Sequence, residues 1–411
     1  MKNKKISTLF ALLFLALACA NPLAPTGGQP ANVETIVAAT LAALTAGPGD
    51  GNTAQATPGA GDSPSSLLPR SMYYLANDGA QFKQVYRLEK DGKTITQLTF
   101  EPADVTDFDV SQVDGSVAYV ADNKLMNVNA DGSNRSMLVD GGPVDENDSF
   151  MTKLSSLVFS PNGETIAFGY KGLNFYSIIS GQSNRVLDDM VDEPSAGLFI
   201  PRELYRPELF SVDGSKLIIT LGYYEGASMA VYYMNGGALV RLNNEARGII
   251  CCGDYSLSID GSSLYSGNPY SGMFAAGLWQ VDTNTGNVNT LLLGDYDNDP
   301  LEVADNPFIA SDGQLYYFYA SVPAAKAFDN NPIPLQLVRS ASDGVTDRTV
   351  LRPDIFSRMN EALWSPDASF VIVANGQNDQ TYYGGTAELY YTDGRPMISL
   401  LPFVQSMKWG P

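Results

Sequence analysis

The sequence predicts an all-β chain of seven four-stranded antiparallel units closed into a ring and carried behind an N-terminal tether. Three observations predict it. Two interleaved series of turn signals run down the chain, each recurring roughly every 50 residues. The runs between them are short and rich in β-branched and aromatic residues, as in Leu217-Ile218-Ile219-Thr220, Leu315-Tyr316-Tyr317-Phe318 and Phe370-Val371-Ile372-Val373. The first and last runs of the repeating region are complementary parts of one unit. Four-stranded repeats at this period are the pattern of a seven-bladed β-propeller.

Taken in order, the chain starts with an address. Lys2, Lys4 and Lys5 precede an apolar run from Leu9 to Ala18, a secretory signal whose core is too short to span a bilayer. Leu15-Ala16-Leu17-Ala18-Cys19 resembles the lipobox of bacterial lipoproteins, with Ala16 in place of the usual leucine. That resemblance implies a signal peptide over 1–18 and a diacylated Cys19 that anchors the protein to a membrane through acyl chains. Cleavage after Ala20, at Ala18-Cys19-Ala20, is the alternative.

Residues 19–70 form the expected tether. Asn32 can cap a short helix over 32–46, Glu34 suits its first turn, and Gly47-Pro48 ends it. Val33, Ile36, Val37, Leu41 and Leu44 fall on one stripe of that helix. Residues 47–70, rich in Gly, Pro, Ala, Ser and Thr, read as a flexible linker.

The globular region spans 71–411. One turn series joins the innermost strand of each unit to the next strand: Asp114-Gly115, Asn162-Gly163, Asp213-Gly214, Asp260-Gly261, Asp312-Gly313 and Asp367-Ala368. The second joins the two outer strands and includes Asp91-Gly92, Asp131-Gly132, Asn235-Gly236, Asp343-Gly344 and Asp393-Gly394. Asp-Gly and Asn-Gly suit two-residue hairpins in which both central residues take positive φ, so Ala368 predicts a turn of another type. The final run Ser406-Met407-Lys408-Trp409 is an innermost strand without its hairpin partner, and Met72-Tyr73-Tyr74-Leu75 is a second strand without a first. Their pairing would close the ring and remove its open edges.

The stretches Phe159–Phe168 and Leu363–Ala374, with Asn129-Ala130-Asp131-Gly132-Ser133-Asn134, resemble the WD40-like repeats of TolB-type propellers. The resemblance covers nearly all of 71–411 and implies the fold. Related blades serve as periplasmic scaffolds and as the front domain of prolyl-oligopeptidase-type peptidases. No Gly-x-Ser-x-Gly elbow accompanies them here.

Composition narrows the chemistry. Net charge is −20, and about −23 without the first 18 residues, which disfavours nucleic-acid binding. The chain has no histidine, which excludes Ser-His-Asp and Cys-His catalysis and His-ligated metals. Cys19, Cys251 and Cys252 are too few for a disulfide framework, although the adjacent pair Cys251-Cys252 could form a vicinal bridge.

With the tight turns on one face, the long connections fall on the other, and function is expected there. Those between units include Asp140–Lys153, Asp188–Arg206 and Asp295–Pro307. Asp295, Asp297, Asp299, Glu302 and Asp305 alternate in the last, a pattern that could hold calcium through oxygen ligands. Pro300 and Asn306 depart from the EF-hand pattern, and a solvated acidic loop is the competing expectation. Tyr223, Tyr224, Tyr270, Phe274, Tyr382 and Tyr383 crowd the loops within units and could stack on a glycan or grip a peptide. The expected role is therefore binding of a protein, peptide or glycan partner in the cell envelope. The competing class is a carboxylate-based carbohydrate-active enzyme, hydrolase or lyase, with its site in the central funnel.

Overall fold

The computed structural model describes residues 66–77, 79–195, 198–243, 255–270, 276–294, 299–324 and 333–411. The expected signal peptide, Cys19 and the helix over 32–46 lie outside the described residues. Strands β1 (Met72–Ala76), β2 (Gln84–Leu88) and β3 (Ile95–Gln97) belong to blade 1. Blade 2 is β4 (Val105–Val110), β5 (Val117–Ala121), β6 (Lys124–Val128) and β7 (Ser136–Asp140). A one-turn helix, α1 (Ser149–Thr152), leads into blade 3, which is β8 (Ser155–Phe159), β9 (Thr165–Gly169), β10 (Gly172–Ser177) and β11 (Gln182–Asp188). Next come β12 (Met190–Ser195) and blade 4, built of β13 (Leu198–Phe210), β14 (Lys216–Tyr223), β15 (Gly226–Tyr233) and β16 (Leu239–Arg241). Blade 5 is β17 (Tyr255–Leu257), β18 (Ser263–Asn268), β19 (Ala276–Asp282) and β20 (Val288–Gly294). Blade 6 is β21 (Leu301–Ile309), β22 (Leu315–Val322), β23 (Gln336–Ser340) and β24 (Thr349–Val350). Blade 7 is β25 (Met359–Trp364), β26 (Phe370–Asn375), β27 (Gly385–Tyr391) and the first part of β28 (Ile398–Trp409).

Every described strand pair within a blade is antiparallel, and the innermost strand of each blade comes first in the chain except in blade 1. There β28 supplies it. Its first part pairs with β27, through Leu389↔Ile398 and Ala387↔Leu401. Its last part pairs with β1, through Leu75↔Gln405, Tyr73↔Lys408 and Met72↔Trp409. A register shift opposite Tyr73 and Leu75, with Ser406 at φ 56°, marks the bulge in this pairing. The ends of the globular region thus complete one sheet, as their sequences predict.

The ring is held by burial on both faces of the central strands. Successive side chains of a strand point to opposite faces, and here each face meets a different neighbour. Val117, Tyr119 and Ala121 of β5 pack toward blade 1, whereas Ala118 and Val120 pack toward blade 3. Leu217 and Ile219 of β14 face blade 3, and Ile218 faces blade 5. Tyr317 faces blade 5 and Phe318 faces blade 7. Ile372 packs with Met72 and Tyr74 across the closing seam. Seven apolar clusters among the described residues occupy the seams in turn, and the last returns to blade 1. Each fully buried aliphatic or aromatic side chain contributes about 1.5–3 kcal/mol, so a blade without a neighbour would expose one whole face.

The turns differ from the two-residue hairpins expected. Among the Asp-Gly pairs only the glycine takes positive φ, as at Gly115, Gly214 and Gly261. The aspartate instead accepts the amide two residues on: Ser116 to Asp114, Ser215 to Asp213, Ser262 to Asp260, Gln314 to Asp312. The glycine amide closes the turn onto residue i−3, as from Gly214 to Ser211 and from Gly261 to Ser258. Asp is therefore chosen for its side-chain acceptor, not for left-handed φ. Ala368 joins the same turn type with φ 58° and the matching bond to Ser365, which corrects the expectation that it departs. A true pair of positive-φ residues occurs at Asp122-Asn123, between β5 and β6.

Two expected connections are largely strand. Asp188–Arg206 contains β12 and most of β13, and Leu301–Ile309 takes over the second half of Asp295–Pro307. Their acids and prolines break apolar alternation and so imitate loops in the sequence.

Trp409 ties three blades: its indole donates to the Trp364 carbonyl at 2.7 Å, its own carbonyl accepts from Gln112 at 2.7 Å, and its ring meets Phe370. Trp409→Ala should lower stability by about 3 kcal/mol in urea unfolding. A loss within about 0.5 kcal/mol, the range of an ordinary surface substitution, would show that this seam does not hold the ring.

Candidate functional site

Antiparallel alternation puts the two short-turn series on one face and the remaining connections on the other. The most exposed apolar side chains divide along the same line. Val113, Val212 and Ile259 project from turn tips on the short-turn face. The strongly exposed aromatics among the described residues are Phe100, Tyr224, Tyr270, Tyr382 and Tyr383, between 58% and 74% exposed. All five sit on connections of the long-loop face: Phe100 between blades 1 and 2, the tyrosines between second and third strands of blades 4, 5 and 7. The five stand on four separate connections, and rings left in water on a rigid scaffold suit a binding surface.

Of the aromatics singled out in the sequence, Tyr224, Tyr270, Tyr382 and Tyr383 stand exposed on these connections. Tyr223 is half-buried and packs on the seam of blades 3 and 4. Phe274, Cys251 and Cys252 lie outside the described residues, as do Asp295 and Asp297. The other three acids of that group have partners of their own. Asp299 accepts the Ala324 amide at 3.3 Å, Asp305 accepts the Asn306 amide at 2.9 Å, and Glu302 receives Arg348 at 3.1 Å together with the Tyr319 hydroxyl. Glu302 and Asp305 stand on β21 rather than in a loop.

At the axis, innermost strands are fastened to one another by polar groups. Asp107 and Asp109 share one face of β4 and accept the main-chain amides of Leu157 and Phe159 in blade 3, at 3.1 and 2.6 Å. Lys408 reaches Asp109 from blade 1 at 3.0 Å. Burial pushes the Asp107 carboxyl up, against the pull of Lys408 and of the Leu157 amide. Burial pulls the Lys408 ammonium down, but Asp109, Asp107 and Glu208 outweigh it and its pKa is raised. Glu361 accepts the Met407 amide at 3.3 Å, and the Trp364 indole donates to the Asn306 carbonyl at 3.0 Å. These carboxylates therefore work as latches between strands.

A second polar device lies nearer the long-loop face and was missed by sequence reasoning. Glu101 accepts the Tyr119 hydroxyl and a two-pronged bond from Arg135. Glu203 does the same with Tyr205 and Arg241, at 2.7 to 2.8 Å. Glu302, Tyr319 and Arg348 form a third such set. Arg135 and Arg241 hold their carboxylates below the usual range, against burial and with help from the tyrosines. Burial and the adjacent carboxylate push the Tyr205 and Tyr319 hydroxyls up to about 12. Each arginine lies 34 to 46 residues from its glutamate in the chain, so no local motif announces the sets.

A groove of about 560 Å³ lies between Met190, Pro201 and Glu203 of the β12–β13 ribbon and the Tyr223-Tyr224 turn. A smaller apolar groove of about 340 Å³ lies at the closing seam, lined by Tyr74, Ala76, Ile95, Leu401 and Phe403.

The architecture defines a β-propeller, and the solved structures it resembles include TolB proteins and other propellers. A puromycin-hydrolyzing peptidase of Mycobacterium tuberculosis is 13% identical with a TM-score of 0.54, over 82% of this chain and 52% of that one. This chain thus spans about half of the peptidase. Oligogalacturonate lyase from Vibrio parahaemolyticus is 13% identical with a TM-score of 0.49, over 76% of this chain and 84% of that one. TolB from Acinetobacter baumannii is 11% identical with a TM-score of 0.42, over 79% and 77%. No protein-family model and no curated protein matches the chain. At these identities the likeness carries the fold alone.

The lowered carboxylates fix a pH dependence. A depressed folded-state pKa contributes stability that is full above the unfolded value, near 4.5, and is lost as pH falls through the folded value. The double variant Glu101→Gln, Glu203→Gln should lose about 2 kcal/mol or more at pH 7. Its melting temperature should also fall less steeply than that of the wild type below pH 4.5. Parallel acid limbs in a thermal-melt series would show that the two carboxylates do not govern acid stability.

Proposed function

We propose that the protein is an exported lipoprotein, tethered through Cys19, whose propeller binds a protein or peptide partner on its long-loop face. The observation that carries the binding face is the collection of exposed aromatics there, against a short-turn face whose exposed apolar tips are aliphatic. Export and lipidation rest on the basic start, the apolar core and the cysteine of the sequence. The competing class, a carboxylate-based carbohydrate-active enzyme, would draw on axial acids such as Asp107 and Asp109. Both already accept main-chain amides from blade 3, and that favours the binder.

Two measurements test this. Cys19→Ala should move the protein from the membrane fraction to the aqueous fraction of cells that express it; unchanged partition would refute the anchor. A photoactivatable residue at Tyr383 should give discrete adducts with another protein in the source cells, and one at Val212 should give none. Adducts from Val212 alone would place binding on the opposite face.

A further inference from the structure

We infer that Asn235-Gly236 is a site of spontaneous covalent modification, where the asparagine passes through a cyclic imide to aspartyl and isoaspartyl residues. The chain carries three Asn-Gly pairs, Asn162-Gly163, Asn235-Gly236 and Asn375-Gly376, and the fold holds the other two against the same reaction. The reaction needs two freedoms. The glycine amide nitrogen must be released from hydrogen bonding to act as the nucleophile, and the asparagine Cγ must swing over it. Glycine permits that approach because it has no Cβ and adopts most backbone conformations.

In two of the pairs both freedoms are taken up. The Gly163 amide donates to the Ser160 carbonyl at 2.8 Å. The Asn162 side-chain oxygen accepts the Ser160 hydroxyl at 2.7 Å and the Glu164 amide at 3.2 Å, and its nitrogen donates to the Glu164 carboxylate at 2.9 Å. The Gly376 amide donates to the Arg358 carbonyl at 2.7 Å, and the Asn375 side-chain nitrogen donates to Glu388 at 2.7 Å. Asn235 and Gly236 are exposed, and neither the side chain of the first nor the amide of the second has a hydrogen-bond partner among the described residues.

The turn explains the difference. In its sister turns the side-chain acceptor takes the amide two residues on, as Asp213 takes that of Ser215. Here that amide belongs to Gly237 and donates to the Tyr233 carbonyl at 3.1 Å, which leaves the Asn235 side chain without its usual donor. Gly236 and Gly237 follow each other at φ 86° and 69°. No atom beyond its chain neighbours lies within 4 Å of where a Cβ of Gly236 would stand, whereas Ser111 and Val113 come to 3.2 and 3.3 Å at Gly163.

The steps balance with water alone. The Gly236 nitrogen gives its proton to solvent base and bonds to the Asn235 Cγ; the Cγ–Nδ2 bond breaks, and that nitrogen leaves as ammonia. Water then adds to one of the two imide carbonyls. Opening one way gives aspartate, and opening the other way gives isoaspartate, whose main chain runs through Cγ. Each product adds a carboxylate to the short-turn face, apart from the proposed binding surface. The second also lengthens the main chain by a methylene between β15 and β16, ahead of the Arg241 that holds Glu203.

The test holds the folded full chain in mildly alkaline buffer and follows the three Asn-Gly peptides by mass spectrometry, with isoaspartate separated from aspartate by chromatography. Asn235 should convert roughly tenfold or more faster than Asn162 and Asn375, which must first give up their hydrogen bonds. Isoaspartate should be among its products. In guanidinium chloride, where no turn survives, the gap should close. Equal rates in the folded chain, faster conversion at Asn162 or Asn375, or a gap that persists unchanged in denaturant would each overturn the inference.

Discussion

The structure depends on the burial of both faces of each blade's central strands. Ile218 and Ile219 are adjacent in sequence, yet each is fully buried in a different seam. No blade can satisfy both faces without two neighbours, so an open row would leave two apolar faces in water. β28 resolves this by serving blade 7 with its first part and blade 1 with its last. The Trp409 indole, the Gln112 amide and the Tyr73 hydroxyl then bind this junction to the blades on either side.

A ring fixed at its seams leaves the loops free to vary, and this is where fold meets function. The axial acids are spent on fastening strands, as at Asp107 and Asp109, and the Glu-Tyr-Arg sets stiffen the region beneath the long-loop face. The rim of the long-loop face carries exposed tyrosines and the groove at Tyr224.

Much of this was legible in the sequence because it rests on local signals. Turn aspartates, β-branched runs and the complementary ends Met72–Leu75 and Ser406–Trp409 specify strands, period and closure without distant information. The chemistry of the turns was not legible from the residue pair alone. Asp-Gly fits both a two-residue hairpin and a side-chain-capped turn, and Ala368 shows that the capping aspartate suffices to hold the second. The β12–β13 ribbon was hidden by Asp192, Glu193, Pro194 and Pro201, which imitate a loop. Glu101 with Arg135, and Glu203 with Arg241, are brought together only by the folded sheet. Of the predicted site residues, Tyr224, Tyr270, Tyr382 and Tyr383 could be placed because a loop between long strands stays at the surface. The acids from Asp299 to Asp305 could not, since their partners Arg348 and Ala324 lie in distant segments.

Closure by the C-terminal strand is the claim on which every placement rests, and hydrogen exchange on a chain ending at Val404 tests it most directly. That truncation removes the strand that pairs with β1 and leaves blade 7 its outer strand. Closure by β28 predicts that the amides of β1 lose protection together with those of β5 in the next blade. Protection of Tyr73 and Leu75 equal to that of the full chain would contradict it.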